Sequence, residues 1–347
     1  MKRLDTDIKL TDEKGNKLYR FKRGNIKAPS LRRINKVKGK DINKDFSPVE
    51  WFFTVTWMPS AIGETIKYLA VVGWKFFLLE YLQKIHIFRL PVKHVDHLLD
   101  ESVPFDTNYY PVYMDFINFW LRPLVMYGHR FGVYQGAKLT GEWFRYLDII
   151  YDGAYELYRY SLTTTFRPLT KDKRVNKLRA ADPHYCCIPS LHISIILLCW
   201  AYHRMVFERE NFSAEEKNLW EKQLYEQAVK IGESVLYMKQ HSVNCIPAAI
   251  YLVTKAVPDL FTRDDAVKYI NDLFVEREDV NEDDKGKIRA HIQDVYEAFV
   301  LEGLHEEDWT VPVKRWLDSY EPHTPYYAGF SEESKKAERK AKSRKSK

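Results

Sequence analysis

The sequence predicts an all-α protein, and three observations predict it. Apolar residues recur at steps of three and four over long stretches. Five prolines, Pro59, Pro91, Pro104, Pro168 and Pro189, fall at the breaks between those stretches, where a missing N–H does least damage. No convincing run of alternating residues with hairpin turns interrupts the helical pattern. Hydrophobic residues make up 45% and aromatics 15% of 347 residues, enough to fill one large domain or two small ones.

In chain order, residues 1–45 read as a basic, irregular N-terminal segment. Helices are expected at 48–58, 61–86, 108–128, 141–165, 190–209, 214–239 and 243–256, forming a bundle over 46–258. After Pro258 the character changes. Segments 263–276, 285–303 and 306–319 read as short charged amphipathic helices, a helical C-terminal extension over 259–330 packed on the bundle. Residues 331–347 read as a basic disordered tail. No internal repeat is visible.

The net charge of +6 is unevenly distributed: residues 1–45 carry +9 and residues 331–347 carry +5, so the body between them carries −8. Basic ends suit an anionic membrane surface, each cation near it adding on the order of 1 kcal/mol. They suit nucleic acid by the same phosphate chemistry, although no specific nucleic-acid partner is expected; a solvated tail is the plainer reading of 331–347. The four cysteines, Cys186, Cys187, Cys199 and Cys245, lie in helical segments rather than a disulfide framework. The N-terminus shows no apolar signal core, which with the cysteines favours a reducing compartment.

Hydropathy speaks against a bundle of membrane spans. The mean hydropathy is −0.44, and only residues 183–203 form a charge-free stretch of the length a span requires. Segment 51–82 is rich in Trp and Phe but carries Glu64, Lys67, Lys75 and Glu80. In 141–160, the charges Glu142, Arg145, Asp148, Asp152, Glu156 and Arg159 fall on one helical face, as do the charges of 216–237. Such stripes call for water or for a polar interior. The expectation is a soluble or peripheral bundle, with an integral protein as the alternative.

Three clusters bear on function. The first is TTTFRP, ending at Arg167 and Pro168; the second is ADPHYCCIPSLHIS, containing Ser190 and His192; the third is ESVLYMKQHSVNC, with Ser234 seven residues before His241. In this order they resemble the signature blocks of the type 2 phosphatidic acid phosphatase / vanadium haloperoxidase superfamily. The PSLH and KQH forms are similar to those of a subgroup related to inositol phosphorylceramide synthases, as is the upstream segment 99–120. The resemblance covers roughly residues 50–256.

That resemblance implies an antiparallel helical bundle of phosphatidic acid phosphatase/haloperoxidase type, associated with a membrane and with its termini on the cytoplasmic side. It implies a phosphomonoester hydrolase or phosphotransferase, probing a phosphorylated small molecule or lipid, with no cofactor and no metal. His241 would be the nucleophile and His192 the general acid, both tasks suited to imidazole. Arg167, Ser190 and Lys239 would bind the phosphate. If helices 141–165, 190–209 and 214–239 alternate in direction, Arg167, His192 and His241 fall at one end of the bundle.

The chain departs from the family's pattern at three positions. Cys245 stands where an Asp orients the nucleophilic His, Tyr160 where a Lys is expected, and Val235 where an Arg is expected. These departures favour a second reading, a non-catalytic relative that binds a phosphorylated ligand, a membrane surface or a partner protein. Plainer readings stay open: either His as a core residue, Arg167 as a helix-end cation, Ser190 as a helix-start residue. Structural zinc on His184, Cys186, Cys187 and His192 is a further alternative, without the CxxC spacing that usually marks such a site.

Overall fold

The structure, a computed structural model, describes residues 5–11, 17–22, 25–331 and 334. It is predominantly helical. The elements in order are strands β1 (Asp5–Thr11) and β2 (Lys17–Lys22), then helices α1 (Leu31–Val37), α2 (Pro48–Thr54) and α3 (Pro59–Val72). A π-helical turn, Gly73–Leu78, joins α3 to α4 (Leu79–Lys84). Strand β3 (Val92–His94), α5 (Tyr110–Met114), α6 (Phe116–Phe131), α7 (Val133–Tyr160), strand β4 (Leu162–Thr164) and α8 (Lys173–Ala181) follow. The chain continues with α9 (Leu191–Arg209), α10 (Ala214–Tyr237) and α11 (Cys245–Ala256), and ends with α12 (Arg263–Asp272), α13 (Glu282–Glu302) and α14 (Val311–Ser319).

Several features differ from the sequence reading. Residues 1–45 are not irregular throughout, because β1 and β2 pair antiparallel with Ile8 opposite Arg20 and Leu10 opposite Leu18. The short alternation around Ile8 and Leu10 is easily masked by the surrounding Lys and Asp. Helix α7 starts eight residues earlier than 141, and α8 was not foreseen, since KRVNKLRAA shows too few apolar positions. The proposed basic tail lies, apart from Ser331 and Ser334, outside the described residues.

Helix α9 organises the core. Its residues are buried nearly all round, from Ile193 to Phe207, and it packs against α6, α7, α10 and α11. This explains the long charge-free stretch in the sequence: a helix apolar on every face can be the centre of a bundle. Among the described residues, no helix is long and apolar enough to cross a membrane.

The C-terminal extension docks on this bundle through α13 against α11, and α14 against α13 and α7. Arg204 of α9 makes paired bonds to Asp265 of α12 at 2.6 and 2.7 Å. Helix α10 also approaches α12 closely: a Cβ at Gly232 would lie 1.9 Å from the Tyr269 hydroxyl, so only glycine fits.

The charged stripe of α7 does not simply face water. Arg145 bonds Glu64 at 3.0 Å, Asp148 pairs with Lys67 at 2.8 Å, and Asp152 pairs with Lys75 at 2.6 Å. On its other flank Glu142 takes Arg209 at 2.6 Å. Glu64, Lys67 and Lys75 therefore find their partners on α7. Beyond the buried Ala61, Tyr68 and Val72, apolar residues of α3 and the π-helical turn also point outward, with Ile66, Leu69, Trp74 and Phe77 at 61, 60, 64 and 50% exposure.

Candidate functional site

The site is assembled around β4, which is short and wholly buried. Thr163 holds the incoming second cluster by three bonds: its N–H to the Tyr185 carbonyl (2.9 Å), its carbonyl from the Cys187 N–H (3.3 Å), and its hydroxyl oxygen from the Ile188 N–H (2.7 Å). Tyr158 OH donates to the Pro189 carbonyl at 2.7 Å. Ser190 then caps α9, accepting from the Ile193 N–H at 3.4 Å. His192 thus emerges in the first turn of α9, its direction fixed by a cap and a strand.

The third cluster leaves the end of α10 through Lys239, in left-handed backbone at φ 51°. The loop is fastened from the other side of the molecule. Asp100 accepts the Val243 N–H at 2.7 Å, and Asn244 donates to the Val95 carbonyl at 3.0 Å. The Asn244 side-chain oxygen also meets His291 of α13 at 2.7 Å, and His291 stacks on His97 with ring centroids 4.0 Å apart. The extension and the segment around 95–103 therefore set the position of the loop that carries His241.

His192 and His241 come together with ring centroids 5.6 Å apart and planes at 65°. Tyr113 and Phe116 pack on His192 at 4.7 and 4.5 Å. His192 keeps some accessible surface because it lines a cavity. Burial pushes it down to about 4. His241 is pushed down to about 3, by burial first and the neighbouring His192 second, with the Cys187 backbone opposing. Both rings are accordingly neutral near pH 7 in the empty site.

The cavity beside them has a volume of about 340 Å³, within the range of small-molecule sites. Its walls are chiefly apolar, with Tyr68, Phe76, Phe77, Trp120 and Leu191 among them. Its polar groups are few: Glu80, Asp182, Gln240 and the two histidines stand out.

The remaining expected site residues divide. Arg167 is completely buried behind the lining, 3.4 Å from Gln240 Oε1 and 3.8 Å from Asp182 Oδ2. It reaches the cavity through those two side chains. Ser190 is also fully buried and acts as the α9 cap. Lys239 is not brought to the cavity: its ammonium donates to the carbonyls of Asp100 and Val103. Burial lowers it to about 8.

At Cys245 the thiol accepts the Ser242 N–H at 3.4 Å, inside the loop. Nδ1 of His241 is buried and makes no hydrogen bond among the described residues. Among the described residues no carboxylate takes the orienting place, and the Cys187 backbone is the group that meets the ring. Nor do the described residues bring three His, Cys, Asp or Glu side chains together in a way that could hold a metal; His184 instead bonds Thr165 at 2.9 Å.

Sequence reasoning missed Glu80, Asp182 and Gln240. Glu80 is pushed up to about 8, by burial first and the Asp182 charge second, while it accepts the Tyr185 N–H at 2.8 Å. A single acid inside the apolar run from Phe76 to Leu82 was the available signal. A protonated Glu80 adds a hydrogen-bond donor to the cavity wall without adding charge.

Comparison of the chain with protein-family models, with curated proteins and with solved structures finds no match.

Proposed function

We propose that the chain is a phosphomonoester phosphohydrolase or phosphotransferase working through a phosphohistidine, on a lipid phosphate. The observation that carries this reading is the meeting of His192 and His241, 5.6 Å apart at the wall of an apolar cavity. Their sequence clusters, together with Arg167, resemble the blocks of the phosphatidic acid phosphatase type.

A neutral imidazole of His241 attacks phosphorus, and the P–N bond forms as the bond to the leaving alcohol oxygen breaks. His192 donates its proton to that oxygen. Water or an acceptor alcohol then attacks phosphorus, His192 takes the released proton, and the P–N bond breaks. His192 must be protonated for the first step, against its low value in the empty site. An incoming phosphate dianion favours the charged imidazole and reverses that bias. Arg167, Asp182 and Gln240 form one connected group, through which Arg167 adds positive potential behind the lining. The apolar walls suit acyl chains.

Turnover of phosphatidate and of an aryl phosphomonoester tests this. His241→Ala and His192→Ala should each lose on the order of a hundredfold or more, and wild-type activity should rise as pH falls from 7 towards 5. Turnover unchanged in either variant would overturn the reading.

A second reading is favoured by two observations, the unbonded Nδ1 of His241 and the thiol at Cys245. Under it the cavity binds a phosphorylated lipid without cleaving it. Stoichiometric phosphatidate binding with no turnover in the wild type would select it.

A further inference from the structure

We infer that the outward face of α3, the π-helical turn and α4, with α2 beside it, docks in the plane of an anionic lipid bilayer. The observation is a helical segment that is apolar on its exposed side as well as on its buried one. On a water-facing helix the charges lie outside and the apolar residues inside. Here Ala61, Thr65, Tyr68 and Val72 form the buried side. Glu64 and Lys75 pair with Arg145 and Asp152 at its edge, and Lys67 is the one charge on α3 that stays exposed while it reaches Asp148. The outward positions are Ile66, Leu69, Trp74, Phe77, Tyr81 and Ile85, at 39 to 64% exposure. Phe53 and Trp57 extend the face along and just beyond α2, at 71 and 58%. So large an apolar surface on one side of a soluble fold marks an interaction site.

Three features identify the occupant as lipid. The first is charge. Both acids between residues 51 and 90 are turned inward, Glu64 to Arg145 and Glu80 into the cavity. Lys84 and Arg89 are exposed at the end of the face, and Arg32, Arg33 and Lys36 are exposed on α1, which packs on α6 as α2 does. Cations around an apolar centre complement an anionic bilayer surface. The second is composition: Trp and Phe with flanking Lys and Arg are the residues that settle at a lipid–water boundary.

The third is continuity. Phe77, Met114 and Ile117 line the cavity and are also exposed, at 50, 41 and 53%. The cavity mouth therefore opens on this face, and a lipid would reach it from the bilayer without crossing water. Docking of the face does not depend on the chemistry proposed for the histidines, and stands if that chemistry fails.

The experiment is cosedimentation of the full chain with phosphatidylcholine vesicles, with and without phosphatidylserine. Wild type should pellet with the anionic vesicles, and salt should weaken binding without abolishing it. Ile66→Glu/Trp74→Glu should bind at least about tenfold more weakly, with unchanged circular dichroism; Lys222→Glu on α10 should bind as wild type does. Brominated-lipid quenching of tryptophan fluorescence, lost in Trp57→Phe/Trp74→Phe, reads the same contact without adding charge. Absence of wild-type binding would overturn the inference. So would binding untouched in both variant pairs and abolished by salt, which would assign it to basic segments alone. Self-association that Ile66→Glu/Trp74→Glu removes, with no vesicle binding, would assign the face to a second copy of the chain.

Discussion

Helices α3 and α10 each bury a mainly apolar stripe, yet they turn different surfaces to the outside. Along α10, Trp220, Leu224, Ala228, Ile231 and Val235 are buried, while Lys222, Glu226 and Lys230 are exposed. Along α3, Ala61, Thr65, Tyr68 and Val72 are buried, while Ile66 and Leu69 are exposed beside Lys67. The difference lies in the neighbour. Helix α10 packs on α9, and α3 packs on α7 through Tyr68 against Phe144 and Tyr151. Arg145, Asp148 and Asp152 at the edge of that contact draw in the nearby charges and leave the outward positions apolar. Periodicity locates the stripe that is buried, and only the neighbours decide what the other side of the helix presents.

The largest effect expected from this contrast comes from placing a carboxylate at an apolar position of each helix. Leu224→Asp puts an unpaired charge in the core and should cost about 4 kcal/mol or more. Leu69→Asp should stay within about 0.5 kcal/mol of wild type. Denaturant unfolding measures both, and equal losses would break the comparison.

A smaller effect separates the two sets of ion pairs. Lys67 pairs with Asp148, whose side chain is only 6% exposed; Lys67→Ala leaves that carboxylate without its cation and should cost about 1–3 kcal/mol at neutral pH. The loss should shrink in acid, as Asp148 takes a proton. Lys222 and Glu226 are both half exposed or more and lie 3.8 Å apart, so Lys222→Ala should cost no more than about 0.5 kcal/mol.

Buried titratable groups set a third and gentler slope. His192, His203 and His241 are held at about 4, 3 and 3 in the fold. Their contribution is present above the ordinary value near 6.5 and is lost as pH falls below it, because the unfolded chain binds the protons. Glu80 and Asp100 are held at about 8 and 6. Their contribution is present in acid and lost as pH rises through those values. Stability should therefore peak at about pH 6–7, falling by about 1.4 kcal/mol per pH unit for each net proton on either side. A thermal-melt series across pH checks this; a steady rise in stability down to pH 4 would contradict it.

Most of the helical order was legible in the sequence because proline breaks and helical periodicity are local signals. Helices α9, α11 and α12 begin within two residues of the expected positions. The convergence of Arg167, His192 and His241 at one end of the bundle was also legible, from helix alternation alone. What was not legible depends on contacts distant in sequence. Lys239 reads as a phosphate-binding cation until Asp100 and Val103, more than a hundred residues away, claim its ammonium. Glu80 reads as a stray acid until Tyr185 and Asp182 surround it. The charges of α3 and α7 each argue for water when read alone, and pair when read together.

The most direct measurement is a rapid quench into base of the protein reacting with ³²P-labelled phosphatidate, followed by mapping of the labelled residue. A base-stable, acid-labile label on His241, present in wild type and absent from His241→Ala, is expected from the arrangement of the two rings. Turnover of phosphatidate with no labelled protein, or with the label on another residue, would contradict it.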